Sequence, residues 1–121
     1  MRRSSCPAAC ALDIAGDKWT LLVVRDLLRG RRTYGELADS PERIPTNILA
    51  DRLRRLEEHG LVKAAPYQRR PLRYAYTLTE KGLGLEAVLA SLARWGKQHL
   101  RGTRVLPEFS SSSRSSLPGR R

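Results

Sequence analysis

The strongest constraint on the fold of this chain is the order of structural signals between residues 46 and 82. A helix comes first, because three leucines recur there at steps of three and four until the sequence reaches Gly60. Two short strands are predicted next, over residues 61–65 and 74–78, and Thr79 can then cap a further helix. Each of these signals is weak alone, but few folds combine them in this order.

An arginine-rich turn separates the two predicted strands and gives the hairpin a basic tip. The turn runs from Gln68 to Arg73 and contains Arg69 and Arg70 between these ends. A helix, a hairpin with a basic tip and a second helix form the layout of a winged helix, in which the hairpin is the wing. We therefore expect a mainly α fold with a small β-hairpin wing, that is, a winged helix-turn-helix.

Three helices are predicted upstream of this unit. A proline at a first-turn position opens a helix over residues 7–14. Asp17 can cap the next helix, residues 18–29, which is apolar on nearly every side and is therefore expected to be buried. Residues 33–38 begin with the spacing of a capping box and predict a short helix, which a turn joins to the leucine-bearing helix.

The last predicted helix, residues 79–100, carries an apolar stripe whose members recur at steps of three and four. One small domain cannot cover this stripe completely, and a helix of this kind is buried against a partner. We therefore expect a homodimer, and the stripe residues expected at its interface are Leu85, Leu89, Leu92 and Trp95.

The charge of the chain indicates a polyanionic partner. Its 121 residues carry a formal net charge of +11, and residues 1–100 alone account for +7 of it. A chain of this length is expected to form one folded domain. We assign residues 1–5 to a flexible arm, residues 6–100 to the DNA-binding and dimerisation domain, and residues 101–121 to a disordered basic tail rich in serine and arginine.

Membrane and secreted classes do not fit this sequence. No segment approaches the run of about 20 apolar residues that crosses a bilayer, and the N-terminus has no hydrophobic region of the signal-peptide type. Two cysteines are too few for the disulfide framework of a small secreted domain. We expect a cytoplasmic protein with no membrane partner.

The leucine-bearing helix is the predicted recognition helix, since the N-terminal turns of such a helix reach the base edges of DNA. On a helical wheel, Asn47, Asp51 and Arg54 lie opposite the leucines, and Ala50 and Arg55 lie on the flanks. The wing arginines are suited to phosphates or to a minor groove. The predicted DNA-binding residues are Thr46, Asn47, Ala50, Asp51, Arg54, Arg55, Arg69, Arg70 and Arg73.

The chemistry of these side chains matches base edges. Asparagine can read adenine, arginine can read guanine, and alanine can meet the methyl group of thymine. Asp51 either accepts a hydrogen bond from a cytosine amine or orients Arg54 or Arg55 across one helical turn. The alternative is that all of them are solvated residues of an amphipathic helix, and the basic hairpin beside the helix favours DNA contact over that alternative.

Several blocks of the chain, in one order between Cys6 and Trp95, resemble the HxlR-type regulators, a branch of the MarR-like winged-helix repressors. The blocks are Cys6-Pro7, Gly16-Asp17-Lys18-Trp19-Thr20, Tyr34-Gly35-Glu36-Leu37, Leu49 with Arg52-Leu53-Arg54 and Leu56-Glu57, Gly60-Leu61-Val62, Pro71 with Arg73, and Tyr76-Thr77-Leu78-Thr79-Glu80-Lys81-Gly82. The resemblance implies a homodimeric transcription factor whose dimer contacts come from the first and last helices.

The chain departs from the pattern of this family at two places. The family usually opens its recognition helix with Ser and Lys, where this chain has Pro45-Thr46-Asn47. It also usually has Glu in the second wing strand, where this chain has Ala75. The first difference bears on base specificity and the second on local packing.

Cys6 is the candidate redox-sensing residue, because a helix N-terminus and nearby arginines favour the reactive thiolate. The resemblance implies the same role, since the matching cysteine of several HxlR-type regulators senses oxidants, quinones or aldehydes. The alternative is that Cys6 is a small apolar residue packed in the dimer interface. Cys10 lies one turn further on, where a bridge to Cys6 within one helix fits disulfide geometry poorly and a bridge across a dimer is feasible.

The leading functional hypothesis is a dimeric, sequence-specific regulator of transcription that binds a double-stranded operator. We expect it to act as a repressor whose DNA binding changes in response to an oxidant or a small-molecule inducer. The alternative is a nucleoid-type or RNA-binding protein that reads no sequence. An enzyme is not expected, because the chain lacks a glycine-rich phosphate loop, a nucleophile elbow and a histidine placed with carboxylates. No cofactor is expected, and two cysteines with two histidines make a weak metal signal.

Overall fold

The computed structural model describes residues 4–103, which form six helices and one two-stranded hairpin. Most of the predicted arm and of the predicted tail lies outside these residues. In chain order the elements are α1 (Pro7–Ala15), α2 (Thr20–Leu28), α3 (Tyr34–Ala38), α4 (Thr46–Glu58), β1 (Val62–Arg69), β2 (Leu72–Leu78), α5 (Glu80–Leu83) and α6 (Leu85–His99).

Side-chain caps fix the starts of three elements, as the sequence predicts. The hydroxyl of Thr33 accepts a hydrogen bond from the backbone N–H of Glu36, and the Glu36 carboxylate accepts one from Thr33, so the capping box of α3 is complete. Thr79 accepts from the N–H of Gly82 at the start of α5. Asp17 accepts from the N–H groups of Trp19 and Thr20, which opens α2 two residues later than predicted.

The core lies around α2, which packs against α3, α4, α6 and β2. The predicted burial of this helix is confirmed, and it brings the apolar faces of its neighbours together. The buried apolar side chains of the core cluster are Val23, Val24, Leu27, Leu37, Ile44, Leu49, Leu53, Leu56, Leu61 and Val62.

The same helix also buries two charged side chains, for which its apolar character gave no reason. Arg25 and Asp26 are only 8% and 2% exposed. The guanidinium of Arg25 donates to both carboxylate oxygens of Glu42, at 2.7 and 2.5 Å, and to Asp26 at 3.0 Å. Hydrogen bonding from Arg25 lowers the pKa of Glu42 to about 2. These partners offset the cost of burying the guanidinium.

The hairpin is longer than the sequence predicts. Its antiparallel register runs from the pair Val62 and Leu78 to the pair Arg69 and Leu72, so Arg69 and Arg73 lie in strands and Arg70 lies in the turn. The predicted turn over residues 68–73 was therefore too wide. The distal part of the hairpin is held by backbone hydrogen bonds. Because these bonds do not depend on side chains, they produce no alternating apolar pattern from which the sequence could predict the strands there.

The predicted last helix is divided at Gly84 into α5 and α6. Two glycines, Gly82 and Gly84, lie at this point, and glycine is unfavourable in a helix interior. Gly82 is also required for packing, because a Cβ atom there would lie 2.1 Å from the carbonyl oxygen of Leu61. The short distance between Gly82 and Leu61 allows α5 to pack against the base of the hairpin.

The base of the hairpin is fixed to the segment before α3. The N–H of Tyr76 donates to the carbonyl of Arg32 at 2.8 Å, and Thr33 forms a bridge with Ala75. The direction of the wing relative to α3 and α4 is therefore set by backbone hydrogen bonds. Within residues 4–103, no helix is both long and apolar enough to cross a membrane.

Candidate DNA-binding surface

Helix α4 divides sharply into a buried face and an outward face. Leu49, Leu53 and Leu56 are at most 2% exposed and pack in the core. The opposite face carries the residues that the sequence selected for DNA contact. Thr46, Asn47, Ala50 and Arg54 are exposed, while Asp51 and Arg55 are half-buried.

Helix α3 holds the first turn of α4 in place. The hydroxyl of Tyr34 donates a hydrogen bond of 2.6 Å to the carbonyl oxygen of Thr46. This bond links the two helices of the helix-turn-helix at the end of α4 from which base contacts are expected. The sequence singled out Tyr34 only as part of a family motif. The chain contained no signal for its partner, which lies twelve positions away.

A carboxylate on α4 orients the arginine that is expected to read bases. Asp51 accepts a hydrogen bond of 2.5 Å from Arg54, which is one of the two roles that the sequence offered for Asp51. The hydrogen bond from Arg54 is the main cause that lowers the pKa of Asp51. Arg54 also donates to Glu58 at 2.8 Å, whereas Arg55 points towards α1 and reaches the carbonyl of Asp13 at 3.5 Å.

Arg52 is a residue of this surface that the sequence did not select. Its Nε donates to Asp17 at 2.8 Å and its Nη1 donates to Asp51 at 2.5 Å. Burial raises the pKa of Asp17, but hydrogen bonds from Thr20, Arg52 and the start of α2 outweigh it and hold that pKa far below the usual range. The Asp17–Arg52 pair joins α4 to the loop before α2, across 35 positions of sequence.

The wing presents three arginines to solvent. Arg69, Arg70 and Arg73 are all exposed at the distal end of the hairpin. A cleft of about 350 Å³ lies between the wing and the start of α3. Arg73 and all four tyrosines of the chain line it, and these tyrosines are Tyr34, Tyr67, Tyr74 and Tyr76. Burial raises the pKa of Tyr76, whose side chain also packs against the core.

The stripe on α6 separates into two pairs of residues. Leu85 and Leu89 are half-buried and pack against the core of their own chain. Leu92 and Trp95 are 53% and 58% exposed, although both are large and apolar. Leu12 of α1 is 61% exposed as well. Both α1 and α6, the helices that the resemblance implies for the dimer, therefore carry uncovered apolar side chains.

Both cysteines are free and lie at the start of the chain's first helix. Cys6 is exposed and is the N-cap residue of α1, while Cys10 is half-buried. The N–H of Cys10 donates to the carbonyl of Cys6 at 3.0 Å, so the two residues occupy successive turns. The thiol of Cys10 donates to the carbonyl of Ser4 at 3.3 Å. Residues 4–103 contain no cluster of three or more side chains suited to a metal ion.

Comparison with protein families places this surface in a known context. The model of the HxlR-like helix-turn-helix family matches residues 14–104. An uncharacterised HTH-type transcriptional regulator of Mycobacterium tuberculosis is 42% identical over 90 residues, which cover 74% of this chain and 56% of that protein. The chain thus spans little more than half the length of that relative. The HTH-type transcriptional regulator YodB of Bacillus subtilis is 31% identical over 99 residues, covering 81% of this chain and 88% of YodB.

Solved structures show the same architecture. The transcription-factor candidate PA1607 superimposes with a TM-score of 0.75 at 37% identity, over 86% of this chain and 73% of that one. The redox regulator HypR in its oxidised form gives a TM-score of 0.70 at 29% identity, over 84% of this chain and all of that one. The predicted winged helix-turn-helix is confirmed. The family and the matched proteins are regulators of transcription and not enzymes, as expected from the sequence.

Proposed function

Since this chain belongs to the HxlR-like helix-turn-helix family of transcriptional regulators, we propose that it binds a specific double-stranded operator as a homodimer in the cytoplasm and represses transcription there. The observation that carries this proposal is the pairing of two surfaces. The N-terminal turns of α4 present exposed polar side chains, and the wing presents exposed arginines. A recognition helix with an adjacent basic hairpin supplies both base contacts and phosphate contacts.

The two surfaces have different roles, base recognition for α4 and phosphate binding for the wing. Asn47, Ala50 and Arg54 are the side chains of α4 whose chemistry matches adenine, thymine and guanine, respectively, in a major groove. Arg69, Arg70 and Arg73 bind phosphates or enter the neighbouring minor groove, where a positive charge is favoured whatever the sequence. Thr46 and Arg55 are proposed to add contacts to DNA beside these residues, and Asp51 accepts the hydrogen bond of Arg54.

The homodimer is proposed from the uncovered apolar side chains. Leu92 and Trp95 expose more than half of their surface, and Leu12 does so on the other helix expected at the interface. A self-complementary patch of this kind is buried by a two-fold related copy. Leu85 and Leu89 then support the interface from beneath, where they contact the core.

An inducer response through Cys6 is the third part of the proposal. YodB has been crystallised in a reduced form and after diamide treatment, and HypR in oxidised and reduced forms. Both proteins share the fold of this chain, and here Cys6 is exposed at the N-terminus of α1. Oxidation by diamide would remove two electrons and two protons from two thiols to form a bridge between subunits, whereas an electrophile would alkylate Cys6 alone.

The experiment that tests this function is a selection of bound genomic fragments, carried out with the full chain at roughly 150 mM salt. We expect a few fragments to be enriched strongly, because base contacts survive at this salt whereas most of the non-specific attraction is screened. Equal recovery of all fragments would contradict the proposed function. That result would favour the alternative, a nucleoid-type or RNA-binding protein, for which the net charge of +11 is the supporting observation.

A further inference from the structure

Five charged side chains of alternating sign connect the loop before α2 with the outward face of α4. Arg52 contacts Asp17 and Asp51, Asp51 contacts Arg54, and Arg54 contacts Glu58, at distances between 2.5 and 2.8 Å. The side chains of Asp17 and Arg52 are 25% and 19% exposed, and exposure then rises to 37% for Asp51 and 57% for Arg54. The series therefore starts near the domain interior and ends where DNA is expected.

Asp17 is a rigid starting point for the series. Two backbone N–H groups, the hydroxyl of Thr20 and the guanidinium of Arg52 all donate to its carboxylate. Gly16, the preceding residue, closes α1 with a hydrogen bond of 2.7 Å to the carbonyl of Leu12. A carboxylate held by four donors keeps one orientation, and the orientation of Arg52 follows from it.

Arg52 in turn fixes Asp51. One oxygen of Asp51 accepts from Arg52 and the other accepts from Arg54. Because Arg52 holds the first oxygen, the carboxylate cannot rotate freely, and its second oxygen is directed towards Arg54. A long arginine side chain has many rotamers, and restricting them before binding removes part of the entropic cost of a base contact.

We propose that Asp17 and Arg52 are specificity-determining positioning residues, which set the direction of Arg54 through Asp51 without touching DNA themselves. This rests on the proposed function, since Arg54 must read a base for its direction to matter. A purely structural role would require only the contact between Arg52 and Asp17. The second contact, from Arg52 to Asp51, reaches the carboxylate that also accepts from Arg54, the residue proposed to read the base.

The test uses the full chain and a pool of DNA duplexes with a random central region, bound at roughly 150 mM salt and then sequenced. Asp17→Asn is the first variant, because the amide oxygen still caps α2 while the charge is removed. Arg52→Lys is the second, since a lysine keeps the charge and can contact Asp17, but it cannot bridge two carboxylates as a guanidinium does. Thermal unfolding of each variant verifies that it is folded.

The matched control is Glu57→Gln. Glu57 lies on α4, is exposed, and is outside the series, but its replacement changes the net charge by the same amount as Asp17→Asn. It therefore corrects for the general gain in DNA affinity that accompanies the removal of any negative charge.

The expected result is selective. Asp17→Asn and Arg52→Lys reduce base preference, on the order of threefold or more, at the same position where Arg54→Ala reduces it. Both variants keep the base preferences that depend on Asn47, and Glu57→Gln keeps every base preference of the wild type. In the Arg54→Ala background, Asp17→Asn should have no further effect on base preference, because the two residues act on the same base.

Two results would overturn the inference while leaving the proposed function intact. One is the retention of every base preference in both variants. The other is an equal reduction at all positions, which would show that the pair only supports the fold. A wild-type chain without any base preference would instead overturn the proposed function itself.

Discussion

We propose that individual side chains of this protein contact different parts of DNA. Asn47 lies in the first turn of α4 and Arg54 in its second half, on the outward face from which base contacts are proposed, while the wing arginines lie at the end of a hairpin. The sequence was sufficient to place the α4 residues on the outward face, because helix periodicity fixes which side faces away from the leucines; their contact with DNA stays a prediction. It was not sufficient to select Arg52 or Tyr34, whose partners Asp17 and Thr46 are distant in the chain.

The division between helix and wing predicts two kinds of mutational effect. Asn47→Ala or Arg54→Ala should relax base preference at particular positions, by about 1–3 kcal/mol for each bidentate hydrogen-bonded pair that is removed. Arg69→Ala or Arg70→Ala should weaken binding to every sequence and reduce the slope of log affinity against log salt by about 0.9 for each phosphate that is no longer neutralised. Salt titrations on matched and mismatched duplexes measure both quantities. An unchanged affinity and slope in the wing variants would show that the wing does not touch the DNA backbone.

Cys6 is expected to transmit the inducer signal. Diamide or a quinone should change the operator affinity of the wild type by roughly 5- to 150-fold, the usual range for coupling between two sites, and should leave Cys6→Ser unaffected. Cys10→Ser separates the mechanisms: loss of the response indicates a bridge between subunits, and its survival indicates modification of Cys6 alone. If wild type and Cys6→Ser respond equally, Cys6 is a packing residue and the inducer acts without a covalent bond to it.

At the level of helices and strands, the sequence predicted elements well where their signals are local. The capping box of α3 and the leucine face of α4 depend on neighbours within one or two turns, and both were correct. The hairpin ends and the break at Gly84 were not predicted, because backbone pairing and the contact of Gly82 with Leu61 involve distant segments. The buried Arg25 was missed for the same reason, since Glu42 lies 17 positions away.

The ion pair of Arg25 with Glu42 joins α2 to the turn before α4, and we expect it to make stability depend on pH. Its hydrogen bonds lower the pKa of Glu42 from 4.5 to about 2 in the folded state. The folded protein thus binds fewer protons than the unfolded chain in this range, so the stabilisation is complete above the unfolded pKa and disappears as the pH falls towards 2.

Replacement of Glu42 tests this link between elements. Glu42→Gln should lower the free energy of unfolding at pH 7 by about 1 kcal/mol, a value reduced for solvent screening because about a third of the carboxylate side chain is exposed. Denaturant titrations between pH 7 and pH 3 should also show a smaller decline for the variant than for the wild type. Parallel pH profiles of the two proteins would contradict the assigned pKa.

At the level of the whole molecule, we propose that an operator is recognised by two copies of the chain. One recognition helix reads one half-site, and a dimer presents two such helices about 34–36 Å apart, which is one turn of DNA. The exposed apolar side chains of α1 and α6 lie on the helices expected to join the copies. The apolar stripe on α6 already indicated such a contact between copies in the sequence. Only the structure shows that Leu92 and Trp95 are exposed, whereas Leu85 and Leu89 pack against the core.

Polar replacement of the exposed pair should produce monomers. Light scattering at micromolar concentration should report a dimer for the wild type and a monomer for the double variant Leu92→Ser and Trp95→Ser, with much weaker DNA binding. Leu72→Ser is the matched control, because Leu72 is 56% exposed but lies on the wing. A monomeric wild type, or a double variant that remains dimeric, would show that this face is not the interface.

The symmetry of the DNA site that the wild-type chain selects from a random duplex pool, at roughly 150 mM salt, is the decisive property to measure. A dimer that reads bases through α4 should select an inverted repeat whose half-site centres are about 10–10.5 base pairs apart, or a multiple of that spacing. Changing one base pair in either half-site should weaken binding by about 1–3 kcal/mol. Recovery of sequences without a shared motif would contradict the proposal that this protein is a sequence-reading dimer.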